Sequence, residues 1–185
     1  MNIITYLAFA TYIAIILSLL WARLRFFNTQ GTQITPWVRL YDPVVGVQIV
    51  TSLYMFYSTP QSAVTLSGIW LAALLVSISL FWWTIFTARK LDFAFSKNVG
   101  DLLTTGPFAL VRHPFYVSYI LLWASTTIVF NSAFLWLTLL YLVIFYFMSA
   151  RGEEEVILNS RHSKEYLEYR KRAGMFFPKI RSWKS

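Results

Sequence analysis

The sequence has 185 residues, of which 57% are hydrophobic, 19% aromatic and 13% charged, and its formal net charge is +8. These proportions exceed the apolar share and fall below the charged share of soluble domains, so the composition indicates an integral membrane protein. Because the chain has no cysteine, disulfides, thiolate metal ligands and a cysteine nucleophile are excluded.

Five apolar stretches are predicted to form membrane helices, since a bilayer core of about 30 Å needs roughly 20 helical residues. They run from about Ile3 to Trp21, Pro43 to Tyr57, Ala63 to Ala88, Phe115 to Phe130 and Phe134 to Ser149. Asp42 and Pro43 fit the N-cap and first helical residue of the second span. Only residues 131–133 separate the last two spans, which predicts a tight antiparallel hairpin.

All lysines and arginines fall in three segments, namely 22–42, 89–113 and the tail after residue 150. Five crossings would place these segments on one side of the membrane. By the positive-inside rule that side is the cytoplasm, so we expect the N-terminus outside and the C-terminus inside. The same charges predict attraction to anionic lipid headgroups, and no soluble basic domain points to a nucleic-acid partner.

Polar residues are concentrated in the second half of the chain. We therefore divide the protein into residues 1–88, which hold three N-terminal spans, and residues 89–185, which hold a polar loop, the hairpin and a charged tail. Any chemistry is expected in the second part.

The loop before span four carries a basic pair. Arg112 and His113 directly precede Pro114, which suits the first turn of a helix, and Tyr116 lies on the same helical face as His113. A basic pair beside the positive end of a helix would bind an anion strongly. The alternative is that both side chains only reach toward lipid phosphates.

Three successive glutamates, Glu153 to Glu155, follow span five. Beside a negative helix end and an anionic surface they need cationic partners, and the hairpin would bring them to Arg112 and His113. A site with both signs suits a ligand of mixed charge; the alternative is a salt bridge that only closes the hairpin.

The tail contains a further helix and an apolar patch. Ser163 is a fair N-cap, and Tyr166 and Tyr169 are neighbours on one face of a short amphipathic helix. Residues 174–178 could re-enter the membrane surface or cover a pocket. No dinucleotide-binding or P-loop motif is present, and two distant histidines without cysteine predict no metal site.

Taken together, these motifs resemble the C-terminal half of the isoprenylcysteine carboxyl methyltransferases. The resemblance covers residues 100–180 and rests on Gly106-Pro107-Phe108, Arg112-His113-Pro114-Phe115-Tyr116, Glu154-Glu155-x-x-Leu158, Tyr166-x-x-Tyr169 and Pro178. The Arg-His-Pro segment alone is also found in membrane phospholipid methyltransferases, a methanethiol methyltransferase group and sterol reductases. Ser118 and Ala173-Gly174 depart from the family pattern.

The resemblance implies an all-α integral membrane enzyme of about five spans, with a cytoplasmic C-terminal region that binds S-adenosylmethionine. It implies methylation of a lipid-borne acceptor, for which a prenylated cysteine carboxylate is the family's example. Arg112 and Glu154 would be catalytic. The residues implied at the cofactor are Gly106, Pro107, Arg112, His113, Pro114, Tyr116, Glu154, Glu155, Tyr166 and Tyr169.

Four alternatives stay open: a phospholipid amine acceptor, a small thiol acceptor, a sterol-type reductase and a non-enzymatic membrane subunit. The expected partners are membrane lipids and an acceptor that enters from the bilayer, with the protein a monomer.

Overall fold

The computed structural model of the protein describes residues 3–25, 36–58, 66–89 and 102–179. Its helices are α1 (Ile3–Arg25), α2 (Pro36–Arg39), α3 (Tyr41–Ser58), α4 (Ser67–Arg89), α5 (Pro114–Phe130), α6 (Ala133–Leu158) and α7 (Ser163–Arg172), with a 3-10 turn at Gly106–Ala109. Within these ranges the extended pairing is one parallel bridge between Val111 and Gly174. The predicted all-α class is confirmed.

Three of the described helices are long and apolar enough to cross a membrane: Ile3–Arg25, Ser67–Ala88 and Ala133–Leu158. Helix α5 is apolar but shorter. The chain is therefore an integral membrane protein, while five crossings and a cytoplasmic C-terminus stay predictions. The predicted start of span three at Ala63, and most of the basic loop between spans three and four, lie outside the described residues.

Helix boundaries correct three details of the sequence prediction. Helix α3 begins at Tyr41, so Asp42 and Pro43 lie in its first turn, and Asp42 accepts a hydrogen bond from Arg23 at 2.8 Å. Helix α6 continues well past Ser149, because the glutamates after Ala150 are good helix formers. In α7, the N-cap is His162 and not Ser163.

The predicted hairpin forms with a link of two residues, Asn131 and Ser132. Asn131 takes a positive φ of 45°, a conformation that asparagine adopts more readily than most residues. Its side chain accepts from Trp136 Nε1 at 2.9 Å, and its backbone N–H donates to Thr127 at 2.8 Å. These bonds fix the tight reversal from α5 to α6.

The chain forms two compact units, of which the first comprises Met1–Ile78 and Tyr119–Tyr146. It contains an uncharged polar group that we name the neutral cluster: Gln48, Thr127 and Thr138. Gln48 is fully buried, and its Nε2 donates to Thr127 Oγ1 at 3.2 Å while its Oε1 accepts from the Thr138 hydroxyl. Each polar group is thus paired inside an apolar environment, as burial requires.

The second unit comprises Ser79–Ser118 and Phe147–Ser185. Edge-to-face packing of Phe81 on Phe115, 5.9 Å between ring centroids, joins parts of α4 and α5 within it. Tyr166, Tyr169 and Ala173 form a buried core on which Leu102, Ile157 and Leu158 pack. The functional division at residues 88 and 89 stays a prediction.

Candidate active site

The backbone of Arg112 and His113 is fixed by the tail of the protein. The Arg112 N–H donates to the Gly174 carbonyl at 2.8 Å, and the His113 N–H donates to the Met175 carbonyl at 3.2 Å. Pro114 has no N–H to donate and begins α5. The basic pair is therefore held in an extended segment directly before a helix.

Glycine is required at position 174 of this tail. A Cβ there would lie 1.8 Å from the Phe177 carbonyl oxygen, so any side chain would force the turn apart. At Ser118, the other departure from the family pattern, the buried hydroxyl donates to the Phe115 carbonyl at 2.7 Å. Both departures are therefore accommodated by local structure.

Arg112 and Glu154 form a buried ion pair between the start of α5 and the last turns of α6. Arg112 Nε and Nη2 lie 2.9 and 2.8 Å from Glu154 Oε1, and the two side chains are only 7% and 5% exposed. Arg112 Nη1 also donates to the Ala173 carbonyl at 2.6 Å. The guanidinium thus joins three chain segments, of which the hairpin prediction had brought together the two that carry Arg112 and Glu154.

His113 lies between two carboxylates. Its Nε2 is 3.2 Å from Glu154 Oε1, and its Nδ1 is 3.3 Å from Glu153 Oε2. Burial lowers the pKa of His113, but the hydrogen bonds and charges of Glu153 and Glu154 outweigh it, so the net pKa is raised. The ring is therefore favoured as an imidazolium that donates from both nitrogens.

Glu153 was predicted as part of the glutamate cluster but not as one of the cofactor residues. The Tyr116 hydroxyl donates to Glu153 Oε1 at 2.5 Å, and the Tyr116 ring stacks on His113 with centroids 5.7 Å apart. The Glu153 side chain is 54% exposed, unlike that of Glu154. The position of Tyr116 on the same helical face as His113 is the sequence feature that could have pointed to Glu153, since a phenol there needs a hydrogen-bond acceptor. We name Arg112, His113, Glu153 and Glu154 the charged cluster.

Three of the predicted cofactor residues do not take part in the ion pairs of the charged cluster. Glu155 is exposed, and within the described chain it makes no ion pair with Arg112 or His113. Gly106 has a positive φ of 59°, and a Cβ there would lie 2.8 Å from Thr87 Oγ1, so this glycine permits a close approach to α4. Pro107 is buried and accepts from the Leu110 N–H at 3.1 Å.

The two tyrosines of α7 lie on one face of the helix, as their spacing predicted, and both are buried. The Tyr169 hydroxyl donates to the Phe108 carbonyl at 2.6 Å and so holds the 3-10 turn. The Tyr166 hydroxyl is enclosed and makes no well-formed hydrogen bond within the described part of the chain. Burial, with Glu154 nearby, raises the pKa of Tyr166, so the phenol stays protonated and available as a donor.

This donor set fits a ligand with separated positive and negative charges, such as S-adenosylmethionine. Glu153 offers a partly exposed carboxylate, and the buried Tyr166 hydroxyl lies beside Glu154 and Arg112 without a well-formed hydrogen bond in the described residues. Arg112 uses three of the five N–H groups of an arginine, so two remain. No group of three metal-ligating side chains occurs in the described ranges.

The helical membrane fold and the ion-paired site agree with what comparison with known proteins shows. A family model described as phospholipid methyltransferase matches residues 68–165, just over half of the chain, and includes the whole charged cluster. The protein belongs to the phospholipid methyltransferase family.

One curated relative is the nickel-cobalt-cadmium resistance protein NccN of Alcaligenes xylosoxydans xylosoxydans. It is 28% identical over 123 residues, which cover 63% of this chain and 55% of that protein. The chain thus spans about half the length of this relative. No solved structure matches the chain.

Members of this family are generally S-adenosylmethionine-dependent methyltransferases. The wider family predicted from the motifs is therefore confirmed. The narrower isoprenylcysteine group, and the roles assigned to single residues, stay predictions.

Proposed function

We propose that the protein transfers a methyl group from S-adenosylmethionine to a lipid-borne acceptor at the charged cluster. The observation that carries this proposal is the buried pairing of Arg112 with Glu154, two residues 42 positions apart, in a chain of a methyltransferase family. Burying charges is costly, and membrane proteins retain them mainly where they are used.

The residues of the cluster have distinct roles in this proposal. S-adenosylmethionine supplies, when bound, a methyl group activated by the sulfonium charge. Glu153 offers a carboxylate to a cationic part of the cofactor, and one of the two remaining Arg112 N–H groups, with the Tyr166 hydroxyl, binds the carboxylate of the cofactor. His113 holds Glu153 and Glu154 in place. The other cofactor residues, Gly106, Pro107, Pro114, Tyr116, Glu155 and Tyr169, remain proposals from the resemblance.

An isoprenylcysteine carboxylate is the acceptor that the motif resemblance supports. A carboxylate is already nucleophilic at pH 7, so the protein needs only to align it and exclude water. Arg112 would hold it by charge-assisted hydrogen bonds, and the prenyl chain would remain in the apolar phase. No general base is needed for this acceptor.

A phospholipid amine is the second candidate, and the family match favours it. An ammonium must lose a proton before it can accept a methyl group. Glu154 is enclosed by Arg112 and His113, whereas Glu153, which contacts His113 and Tyr116, is 54% exposed, so Glu153 is the proposed proton acceptor. A small thiol is the third acceptor to test.

Methyl-labelled cofactor distinguishes these acceptors. The full chain in nanodiscs would be incubated with a farnesylated cysteine analogue, phosphatidylethanolamine or an alkyl thiol, and labelled products would be counted. We expect label in a lipid-borne product, and Glu153→Gln, which also removes a contact to the cofactor, should reduce transfer to the carboxylate but abolish transfer to the amine. The control is Glu168→Gln, an exposed glutamate paired with Lys171 at 2.5 Å. No label in any acceptor would reject the proposed function.

The proposed setting is a multi-pass monomer with the site on the cytoplasmic side and the acceptor entering from the bilayer. The cysteine-free sequence suits a direct test, because single cysteines introduced near α7 report sidedness by labelling.

A further inference from the structure

A cavity lies in the same compact unit as the charged cluster but is lined by other residues. Its volume is about 340 Å³, and its lining comprises Thr104, Ala109, Leu110, Tyr169, Arg172, Pro178 and Lys179. None of the four residues of the charged cluster lines it. The cavity therefore needs an explanation of its own.

The polar part of this lining is cationic. Arg172 ends α7, and Lys179 Nζ donates to the carbonyl of Arg170 at 2.6 Å, which fixes the ammonium at the end of that helix. No lining residue is acidic. Within the described part of the chain no carboxylate pairs with Arg172 or Lys179, whereas neighbouring Lys171 is paired with Glu168.

Apolar side chains accompany these cations. Leu110, in the wall of the cavity, is 49% exposed, and Phe177, next to the lining residue Pro178, is 83% exposed. Large exposed apolar side chains beside basic ones are typical of surfaces that contact lipid. A small soluble anion would use the cations but gain nothing from Leu110 and Phe177.

We infer that this cavity binds the headgroup of an anionic phospholipid. The lipid phosphate lies between Arg172 and Lys179, which contact it as charge-assisted donors, and the start of its acyl chains lies against Leu110 and Phe177. The inference does not rest on methyl transfer, because Arg172 and Lys179 belong neither to the charged cluster nor to the proposed cofactor residues. It adds a lipid site to the protein beyond the one for the acceptor.

Native mass spectrometry of the full chain in neutral detergent tests this site. The protein is titrated with phosphatidylglycerol or phosphatidylcholine of the same acyl chains, and bound lipid is counted. We expect clear preference for phosphatidylglycerol, and about tenfold or greater loss of that binding in Arg172→Gln/Lys179→Gln. Arg172→Lys should retain it, since the positive charge is kept.

The matched control is Arg161→Gln/Lys164→Gln, which removes two charges near the other end of α7 and away from the cavity lining. We expect this pair to keep the phosphatidylglycerol preference. Equal losses in the two double variants, or equal binding of both lipids, would overturn the inference. Displacement of the lipid by equimolar inorganic phosphate would overturn it too, because the cavity would then be a site for a free anion.

Discussion

The neutral cluster and the charged cluster solve the same problem, the burial of polar side chains, in different ways. In the neutral cluster, side chains on helices pair with one another, and Gln48 is completely enclosed. In the charged cluster, Arg112 also bonds the tail carbonyl of Ala173, and Glu153 remains half exposed. A closed, uncharged group serves packing, whereas a charged group with an open edge is suited to bind a ligand.

Removing Arg112 should have the largest effect. Arg112→Met leaves the carboxylate of Glu154 buried without its main partner, so we expect the free energy of unfolding to fall by about 3–5 kcal/mol. Unfolding in mixed micelles, followed by circular dichroism, measures this loss. The control is Arg151→Met, because Arg151 is exposed, its guanidinium lies over the ring of Phe147, and within the described residues it forms no ion pair with Glu154.

A double variant sharpens the same test. In Arg112→Met/Glu154→Met both charges are replaced by apolar groups, so much of the lost stability should return. A loss below about 1 kcal/mol in the single variant would show that the pair is screened by solvent.

The tail is a second difference between the clusters. Its carbonyls accept hydrogen bonds from Arg112 and His113 of the charged cluster. Gly174→Ala places a Cβ against the Phe177 carbonyl and should cost about 1–3 kcal/mol. Gly152→Ala is the matched control: its Cβ meets open space, and stability should rise by about 0.5–1 kcal/mol. Proteolysis of the tail provides a local measurement, and equal cleavage of both variants would contradict the role of Gly174.

A substitution of Gln48 tests the neutral cluster. Gln48→Leu removes the side-chain hydrogen bonds to Thr127 and Thr138, whose hydroxyls keep only contacts to backbone carbonyls among the described residues, and should cost about 1–2 kcal/mol. The affinity for S-adenosylhomocysteine should not change. A tenfold loss of that affinity would mean that the neutral cluster also serves the ligand.

The smallest expected effect is on the pH dependence of the free energy of unfolding, to which the charged cluster should contribute and the neutral cluster should not. Because the folded state raises the pKa of His113, its contribution is complete below the unfolded value of about 6.5 and is lost as pH rises through the folded pKa. The slope is at most about 1.4 kcal/mol per pH unit. His113→Gln should flatten the curve above pH 6.5, whereas Gln48→Leu should leave its shape intact. Identical slopes in wild type and His113→Gln would contradict this assignment.

Much of the architecture could be predicted from the sequence, because hydropathy and turn residues are local signals. The hairpin at Asn131, the helix start at Pro114 and the shared face of Tyr166 and Tyr169 all follow from neighbours in the chain. The extension of α6 past Ser149 was missed because a charged segment after an apolar one marks the end of the membrane and not the end of the helix.

The site was predictable only in outline. The opposite charges predicted that Arg112 lies near the three glutamates, but they did not predict which glutamate pairs with it. That choice depends on the rotation of α6, which packing decides: Glu154 points to Arg112, Glu153 to Tyr116, and Glu155 is exposed. The contact of Arg112 with the Ala173 carbonyl also could not be predicted, since it depends on the path of the tail.

Calorimetric titration of the detergent-purified protein with S-adenosylhomocysteine tests the central claim most directly. We expect wild type and Gln48→Leu to bind alike, and Arg112→Ala and Glu154→Ala to lose at least about tenfold in affinity, with folding checked by circular dichroism. Absence of binding to the wild type, or equal binding by folded Arg112→Ala and Glu154→Ala, would contradict the assignment of the charged cluster as the cofactor site.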